Sequence, residues 1–162
     1  PFEDNRFDGV VAAQILCFLD DVDRALKQIH RVLKPGGRVV LLDTDWDTLI
    51  WRSTDGSLMD RIVRAYRSAY TDSTLPRTLG ERLAAAGFVS VTAESFVLLN
   101  TRFGADSYAR HTADFAVSMM ETSPGFDASD RAAFIRDQEE LDARSAFFFS
   151  LNRYIFTARK TD

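Results

Sequence analysis

The residues best suited to moving a proton are few. His30 and His111 are the only histidines, and imidazole is the side chain that exchanges a proton near neutral pH. His111 stands within a turn or so of Tyr108 and Phe115 on a stretch with helical spacing, from which it could reach a substrate pocket. His30 lies beside Arg31 and reads as solvated. Asp43 and Asp45 are the competing candidates for a general base. Between Thr44 and Trp51 lie both tryptophans of the chain. Trp46 and Trp51 either form a wall for a substrate or cover the end of a sheet, since buried aromatics serve both uses. Cys17 is the single cysteine, so neither an internal disulfide nor a cysteine-based metal site can form.

The elements that must position these residues begin with a βαβ unit. Phe7 to Ala13 is a Val-rich apolar run behind turn-type residues, the pattern of a strand buried on both faces of a parallel sheet. Val22, Ala25, Leu26, Ile29, Val32 and Leu33 then recur at the spacing of an amphipathic helix. Asp20 or Asp21 can cap it; Asp20, Asp21 and Asp23 suit its positive end, and Lys27, Arg31 and Lys34 its negative one. Lys34-Pro35-Gly36-Gly37 stops the helix: Pro35 cannot continue it, and Gly36 accepts the positive φ of a type II turn. Arg38 to Asp43 returns as a strand, with a right-handed crossover by the general rule. Ligands of open parallel sheets lie outside the carboxyl ends of the strands, where Gln14 and the segment after Asp43 fall.

These residues resemble a family. Pro-Phe-x-Asp-x-x-Phe-Asp-x-Val from Pro1, an acidic-capped helix, then Arg31-Val32-Leu33-Lys34-Pro35-Gly36-Gly37-Arg38 and an apolar strand are similar to the middle of a class I S-adenosylmethionine-dependent methyltransferase. In that family these segments are strand 4, helix D and strand 5, and Leu83-x-x-Ala86-Gly87-Phe88 resembles the approach to strand 6. The resemblance implies that Pro1 and Phe2 border the adenine of the cofactor and that Ala13, Gln14 and Leu16 border its methionine end. Trp46, Trp51 and Tyr108 would line the substrate. Methyl transfer from a sulfonium is an in-line displacement that asks the protein mainly to position two reactants and exclude water. A base is needed only when the acceptor is a protonated oxygen or nitrogen.

The family holds its cofactor mainly through a glycine-rich loop after strand 1 and an acidic residue after strand 2. No Gly-x-Gly loop occurs in this chain, whose one adjacent pair is Gly36-Gly37. The chain therefore reads as the C-terminal part of a single methyltransferase domain, residues 1–162, with S-adenosylmethionine binding expected only alongside the missing half. Strand 4 would then be an open edge, and a two-fold homodimer through that edge is expected.

Downstream, Gly56 to Tyr70 has a wide apolar face and reads as a helix with Arg61, Arg64 and Arg67 on its solvated side. Thr78-Leu79-Gly80-Glu81 has capping-box spacing before a second helix that Gly87 ends. Val89 to Leu99 alternates as a strand. Asp106 to Glu121 and Ala128 to Arg144 read as two helices of an insertion at about residues 104–145, separated by a turn at Ser123-Pro124-Gly125. Phe147 to Lys160 is apolar on both faces, as an interior strand is. The expected fold is α/β: a partial Rossmann-like methyltransferase sheet ordered 4, 5, 7, 6 with strand 7 antiparallel, flanked by helices.

With 162 residues, 46% of them hydrophobic, and a formal net charge of -4, the chain can bury a core and has no basic surplus for phosphates. A small-molecule substrate is expected, without nucleic acid or membrane partners, in a cytoplasmic setting. No apolar run approaches the roughly 18 residues of a membrane span. A non-catalytic Rossmann-like remnant or partner-binding module is the alternative. A nicotinamide-dependent reductase is disfavoured, because neither its glycine fingerprint nor a Tyr-x-x-x-Lys pair is present.

Overall fold

The computed structural model describes residues 2–161. They fall into two compact units, one made of residues up to Asp47, Thr71–Phe96 and those from Asn152 on, the other of Thr48–Tyr70 and Val97–Leu151.

In the first unit, β1 (Phe7–Ala13) runs parallel to β2 (Leu33–Trp51), with Val10 opposite Val39 and Ala13 opposite Leu42. The crossover helix α1 (Val22–Val32) is capped by Asp21, whose Oδ1 accepts the Arg24 amide at 2.8 Å. Its buried residues are Val22, Leu26 and Val32, the stripe expected from the spacing. Leu33 already pairs with Phe7, and the register then shifts before Gly9 meets Arg38, so Lys34 to Gly37 form a bulge inside β2. Gly36 has φ 72°, as the expected turn requires, and a Cβ on Gly37 would stand 2.8 Å from the Lys34 carbonyl oxygen. β1 is not buried on both faces. It is an outer strand of the sheet, and Val11 is 75% exposed.

The sheet order is β1-β2-β4-β3, where β3 is Phe88–Asn100 and β4 is Phe149–Lys160. This is the expected 4, 5, 7, 6 order. Near its start, β2 donates the Gly36 amide to the Thr161 carbonyl, just past the end of β4. Past its end, the Arg52 amide reaches the Phe148 carbonyl, just ahead of β4. Start against end and end against start make β4 antiparallel to β2, as expected of strand 7.

Three local expectations are corrected. β2 does not end at Asp43 but continues to Trp51, so the tryptophan segment is strand; alternation was masked there because Asp43, Thr44, Asp45 and Trp46 are all buried. The helix α3 (Pro76–Ala85) starts ahead of Thr78, and no side chain caps it. Pro76 lacks the amide that the first turn leaves unpaired and carries a helix-ready φ, so it fixes the start. Thr78 Oγ1 instead donates to the Leu75 carbonyl at 3.4 Å and accepts from Arg82 Nε at 3.0 Å. Finally, His30 is half-buried rather than solvated, its ring edge-on to Phe88 at 5.0 Å. Gly87, with φ 95°, ends the turn after α3, and a Cβ there would stand 3.3 Å from His30 Nε2.

The second unit holds α2 (Gly56–Ser68), α4 (Tyr108–Thr122) and α5 (Ala128–Ala143) around Ile62, Ala113, Ala116, Met120, Phe134 and Leu141. Asp55, Ser107 and Asp127 cap them in turn, Asp127 in a reciprocal capping box with Asp130. Arg61 is not merely solvated: it donates to the Gly125 carbonyl and Asp130 Oδ1, both at 2.7 Å, and lies over the Phe126 ring. Among the described residues no group of side chains could hold a metal ion, and no helix is long and apolar enough to cross a membrane.

Candidate functional site

The carboxyl end of β1 gathers the polar groups of the first unit. The Gln14 amide donates to the Leu42 carbonyl at 2.8 Å, which extends the parallel ladder one residue past β1. The backbone then turns through φ 54° at Gln14, a region sparsely populated by residues with a Cβ. That turn sends the chain into the short 3-10 helix Leu16–Phe18, which buries Leu16 and Cys17. Ala13 is exposed, Gln14 half-buried and Leu16 buried, so the three residues linked by resemblance to the cofactor's methionine end stand together here.

Beneath Gln14 lies a buried polar chain. Thr44, with no exposed surface, donates its Oγ1 hydrogen to Gln14 Oε1 at 2.8 Å, and its amide donates to Asp43 Oδ1 at 2.9 Å. Asp43 also accepts from the Cys17 thiol. Burial raises the Asp43 carboxyl above its ordinary range, against the lowering effect of these donors. Burial, with Asp43 beside it, pushes the Cys17 thiol up to about 12. The Asp72 amide closes the cluster on the Cys17 carbonyl at 3.0 Å. The sequence gives Cys17 and Thr44 no part in this site, because nothing local marks a contact between residues so far apart in the chain.

The other acid candidate has a different setting. Asp45 is buried and held by Arg77, Nε to Oδ2 at 2.7 Å and Nη2 to Oδ1 at 3.0 Å. These bonds and the neighbouring Asp47 raise Arg77 above even its usual range. Trp46 is buried in the same unit, its backbone amide bonded to the Ser73 carbonyl at 2.9 Å.

Phe2 stands elsewhere. Its ring is edge-on to Phe7 at 5.1 Å, at the start of β1, while Gln14 lies past the far end of that strand. Seven residues of strand separate them by about 20 Å. Phe2 instead lines a cleft of about 520 Å³ with Phe7, Val10, Ile29 and Val32, and Arg31 bonds its carbonyl at 3.0 Å. Pro1 lies outside the described residues.

In the second unit, Trp51 donates its indole hydrogen to the fully buried Gln138 Oε1 at 2.9 Å and packs edge-on to Phe134 and Phe149. Tyr108 meets the same Phe149 ring at 6.1 Å. Trp51 also borders a cavity of about 400 Å³ with Leu49, Met59 and Val63 beneath Arg64 and Arg67. His111 is exposed on α4.

The fold is that of the class I methyltransferase sheet. A Bacillus halodurans protein assigned as a methyltransferase superposes with TM-score 0.61 at 17% identity, over 100% of this chain and 73% of that one. A Haemonchus contortus phosphoethanolamine N-methyltransferase 2, solved with S-adenosyl-L-methionine, gives 0.52 at 19% identity, over 100% of this chain and 35% of that one.

In sequence, residues 1–41 match the methyltransferase domain family. A ubiquinone/menaquinone biosynthesis C-methyltransferase of Desulfotalea psychrophila is 35% identical over 113 residues, 60% of this chain and 46% of that protein. The demethylmenaquinone methyltransferase of Staphylococcus epidermidis is 53% identical over 49 residues, 30% of this chain and 20% of that one. The resemblance to class I S-adenosylmethionine-dependent methyltransferases thus holds in both sequence and fold. The chain spans less than half the length of these curated relatives.

Proposed function

We propose that the complete protein transfers the methyl group of S-adenosylmethionine to a small-molecule acceptor, and that this chain supplies the C-terminal part of its single catalytic domain, with α4 and α5 as an insertion. The observation that carries this reading is the match of residues 1–41, together with a sheet that sets Gln14 and Ala13 at the carboxyl end of β1. The donor set there fits the cofactor: a pinned carboxamide and an exposed alanine suit a ligand with both polar and apolar parts. When bound, the cofactor supplies an electrophilic methyl on sulfur. Ala13 and Gln14 would border its methionine end, and buried Leu16 would hold the turn that carries them. Phe2, at the opposite end of β1, is left out of this contact set, and no role is assigned to Pro1.

The names of the relatives support one acceptor class. Two of them are named for C-methylation in ubiquinone or menaquinone biosynthesis and for methylation of demethylmenaquinone. A quinol-type ring carbon is therefore the acceptor we assign. Such a carbon becomes nucleophilic as the neighbouring phenol loses its proton, so this chemistry does call for a base. Asp45 is engaged by Arg77, and Asp43 is buried with its carboxylate already accepting from the Thr44 amide and the Cys17 thiol. Exposed His111 is the remaining candidate. Trp51 and Tyr108, which share Phe149, are the proposed acceptor-side aromatics. Trp46, fully buried, is assigned to packing. The reading is tested by incubating the complete protein with labelled S-adenosylmethionine and reduced demethylmenaquinone. Label in the quinone supports it, and label-free quinone with a folded, cofactor-binding protein overturns the acceptor assignment.

By itself the chain is expected to bind the cofactor weakly, since it has no Gly-x-Gly loop of the kind through which the family mainly holds the cofactor. A homodimer through the open side of β1 is also proposed, on the strength of its outer position and the exposure of Val11.

A further inference from the structure

Gln14 combines three features that packing alone does not call for. Its backbone is in a sparsely populated conformation, with φ 54°. Its side chain is half-buried rather than solvated. Its carboxamide oxygen is tied to a hydroxyl that has no exposed surface. A surface glutamine gains nothing from a strained backbone, whereas a group that must be aimed does. The anchor is itself immobile: the Thr44 amide is bonded to Asp43 Oδ1, and Asp43 is fixed by the Cys17 thiol from the 3-10 helix that follows Gln14. Both ends of the Gln14 turn are thereby tied to the same stretch of β2.

We propose that Thr44 is a positioning residue, whose buried hydroxyl holds Gln14 Oε1 so that the two Nε2 hydrogens point away from β2, past the carboxyl end of β1, and donate to an oxygen of a bound reactant. With its oxygen turned to Thr44 at 2.8 Å, the planar amide presents its Nε2 donor edge on the side away from that bond. The matching chemistry is an acceptor oxygen, anionic or carbonyl. Two reactants carry one: the carboxylate of the cofactor and the phenolic or quinone oxygen of the methyl acceptor. This inference rests on the methyltransferase reading and adds to it a residue two steps from the ligand.

The test uses the complete protein and the variants Thr44→Val, Thr44→Ser, Gln14→Met and Gln14→Glu. S-adenosylhomocysteine binding is measured by calorimetry and KM for reduced demethylmenaquinone by turnover. Thr44→Val is expected to weaken one of the two by about ten-fold, the loss of one hydrogen bond to a polar oxygen, with Thr44→Ser close to the parent. Gln14→Met should match the loss, and Gln14→Glu, which replaces donors by an acceptor, should exceed it. A loss in S-adenosylhomocysteine affinity assigns the oxygen to the cofactor; a loss confined to the acceptor's KM assigns it to the acceptor. Val, Ser and parent alike on both measures, with unchanged melting, overturns the proposal. If Thr44→Val does not fold, Gln14→Met decides, and parent-like values from it overturn the proposal equally. The Gln14 side-chain amide pair in a nitrogen-15 spectrum gives a readout free of ligand: a fixed, slowly exchanging pair in the parent and in Thr44→Ser, averaged in Thr44→Val. A parent that binds no S-adenosylhomocysteine defeats the methyltransferase reading, and the amide signal then judges the positioning of Gln14 alone, an averaged pair in the parent overturning it.

Discussion

Arg77 grips Asp45 with two parallel hydrogen bonds and reaches Asp47 with a third at 2.9 Å. Asp45 is almost wholly buried, while the arginine is half-exposed. A buried carboxylate that loses its partner keeps its desolvation penalty, so the pair matters less for what it adds than for what breaking it leaves behind. Arg77→Met is therefore expected to lower the melting temperature more than Arg102→Met. Arg102 donates a similar pair of hydrogen bonds to Asp142, but that carboxylate is more exposed, 21% against 7% for Asp45. Parallel thermal melts check this, and equal shifts would contradict it.

The thiol and carboxyl under Gln14 give the chain a pH signature. Cys17 is raised from 9.0 to about 12, so the folded state keeps a proton that the unfolded state releases. Stability from this group is complete below pH 9.0 and falls as pH rises toward 12, by on the order of 1.4 kcal/mol per pH unit. Asp43 behaves in the same sense at lower pH: its raised value means stability is lost as pH climbs past 3.8. Two melts follow. Cys17→Val should flatten the decline between pH 9 and 10.5 expected from this group. Asp43→Asn should gain stability relative to the parent as pH rises from acid to neutral. The opposite slopes would show that the thiol and the carboxyl ionise more easily in the folded protein.

Trp51 and Gln138 form a buried pair at 2.9 Å whose loss leaves an indole hydrogen without a partner. Gln138→Leu is expected to cost about 1–3 kcal/mol in chemical denaturation. In a Trp51→Phe background the same change should cost clearly less, because the donor has gone; an equal cost in both backgrounds would mean the bond contributes little.

Much of this architecture was legible locally. Phe7 to Ala13, the Asp21 cap and the Lys34 to Gly37 stop are written in neighbouring residues, and the structure has each of them. So is the helix over Gly56 to Ser68, whose apolar face needs only its own spacing. What escaped depends on partners far away in sequence. Asp45 finds Arg77 at a separation of 32 residues, and Trp51 finds Gln138 at 87. The Thr78-Glu81 spacing was a true pattern overruled by a stronger local one, since Pro76 sets the helix start. His30 was misread because its neighbour Arg31 is a poor guide: the imidazole turns onto Phe88, and that burial lowers its affinity for a proton. In the candidate site, Gln14 could be placed at a strand end from sequence, but the Thr44 hydroxyl that aims it could not.

The outer position of β1 has a consequence for association. Among the described residues, β1 has β2 on one side and no strand on the other. Light scattering of the 162-residue chain at micromolar concentration is expected to give the mass of a dimer. Val11→Lys, which sets a charge at a side chain 75% exposed on that strand, should shift the chain toward monomer. A strictly monomeric, folded parent would refute the assigned interface.

The central claim is that this chain completes a cofactor-binding methyltransferase domain, and calorimetry with S-adenosylhomocysteine tests it most directly. The complete protein is predicted to give a saturable one-site isotherm, and the 162-residue chain alone to give little or no heat under the same conditions. No heat from the complete, folded protein would contradict the account, and tight binding by the isolated chain would contradict the assignment of most cofactor contacts to residues outside it.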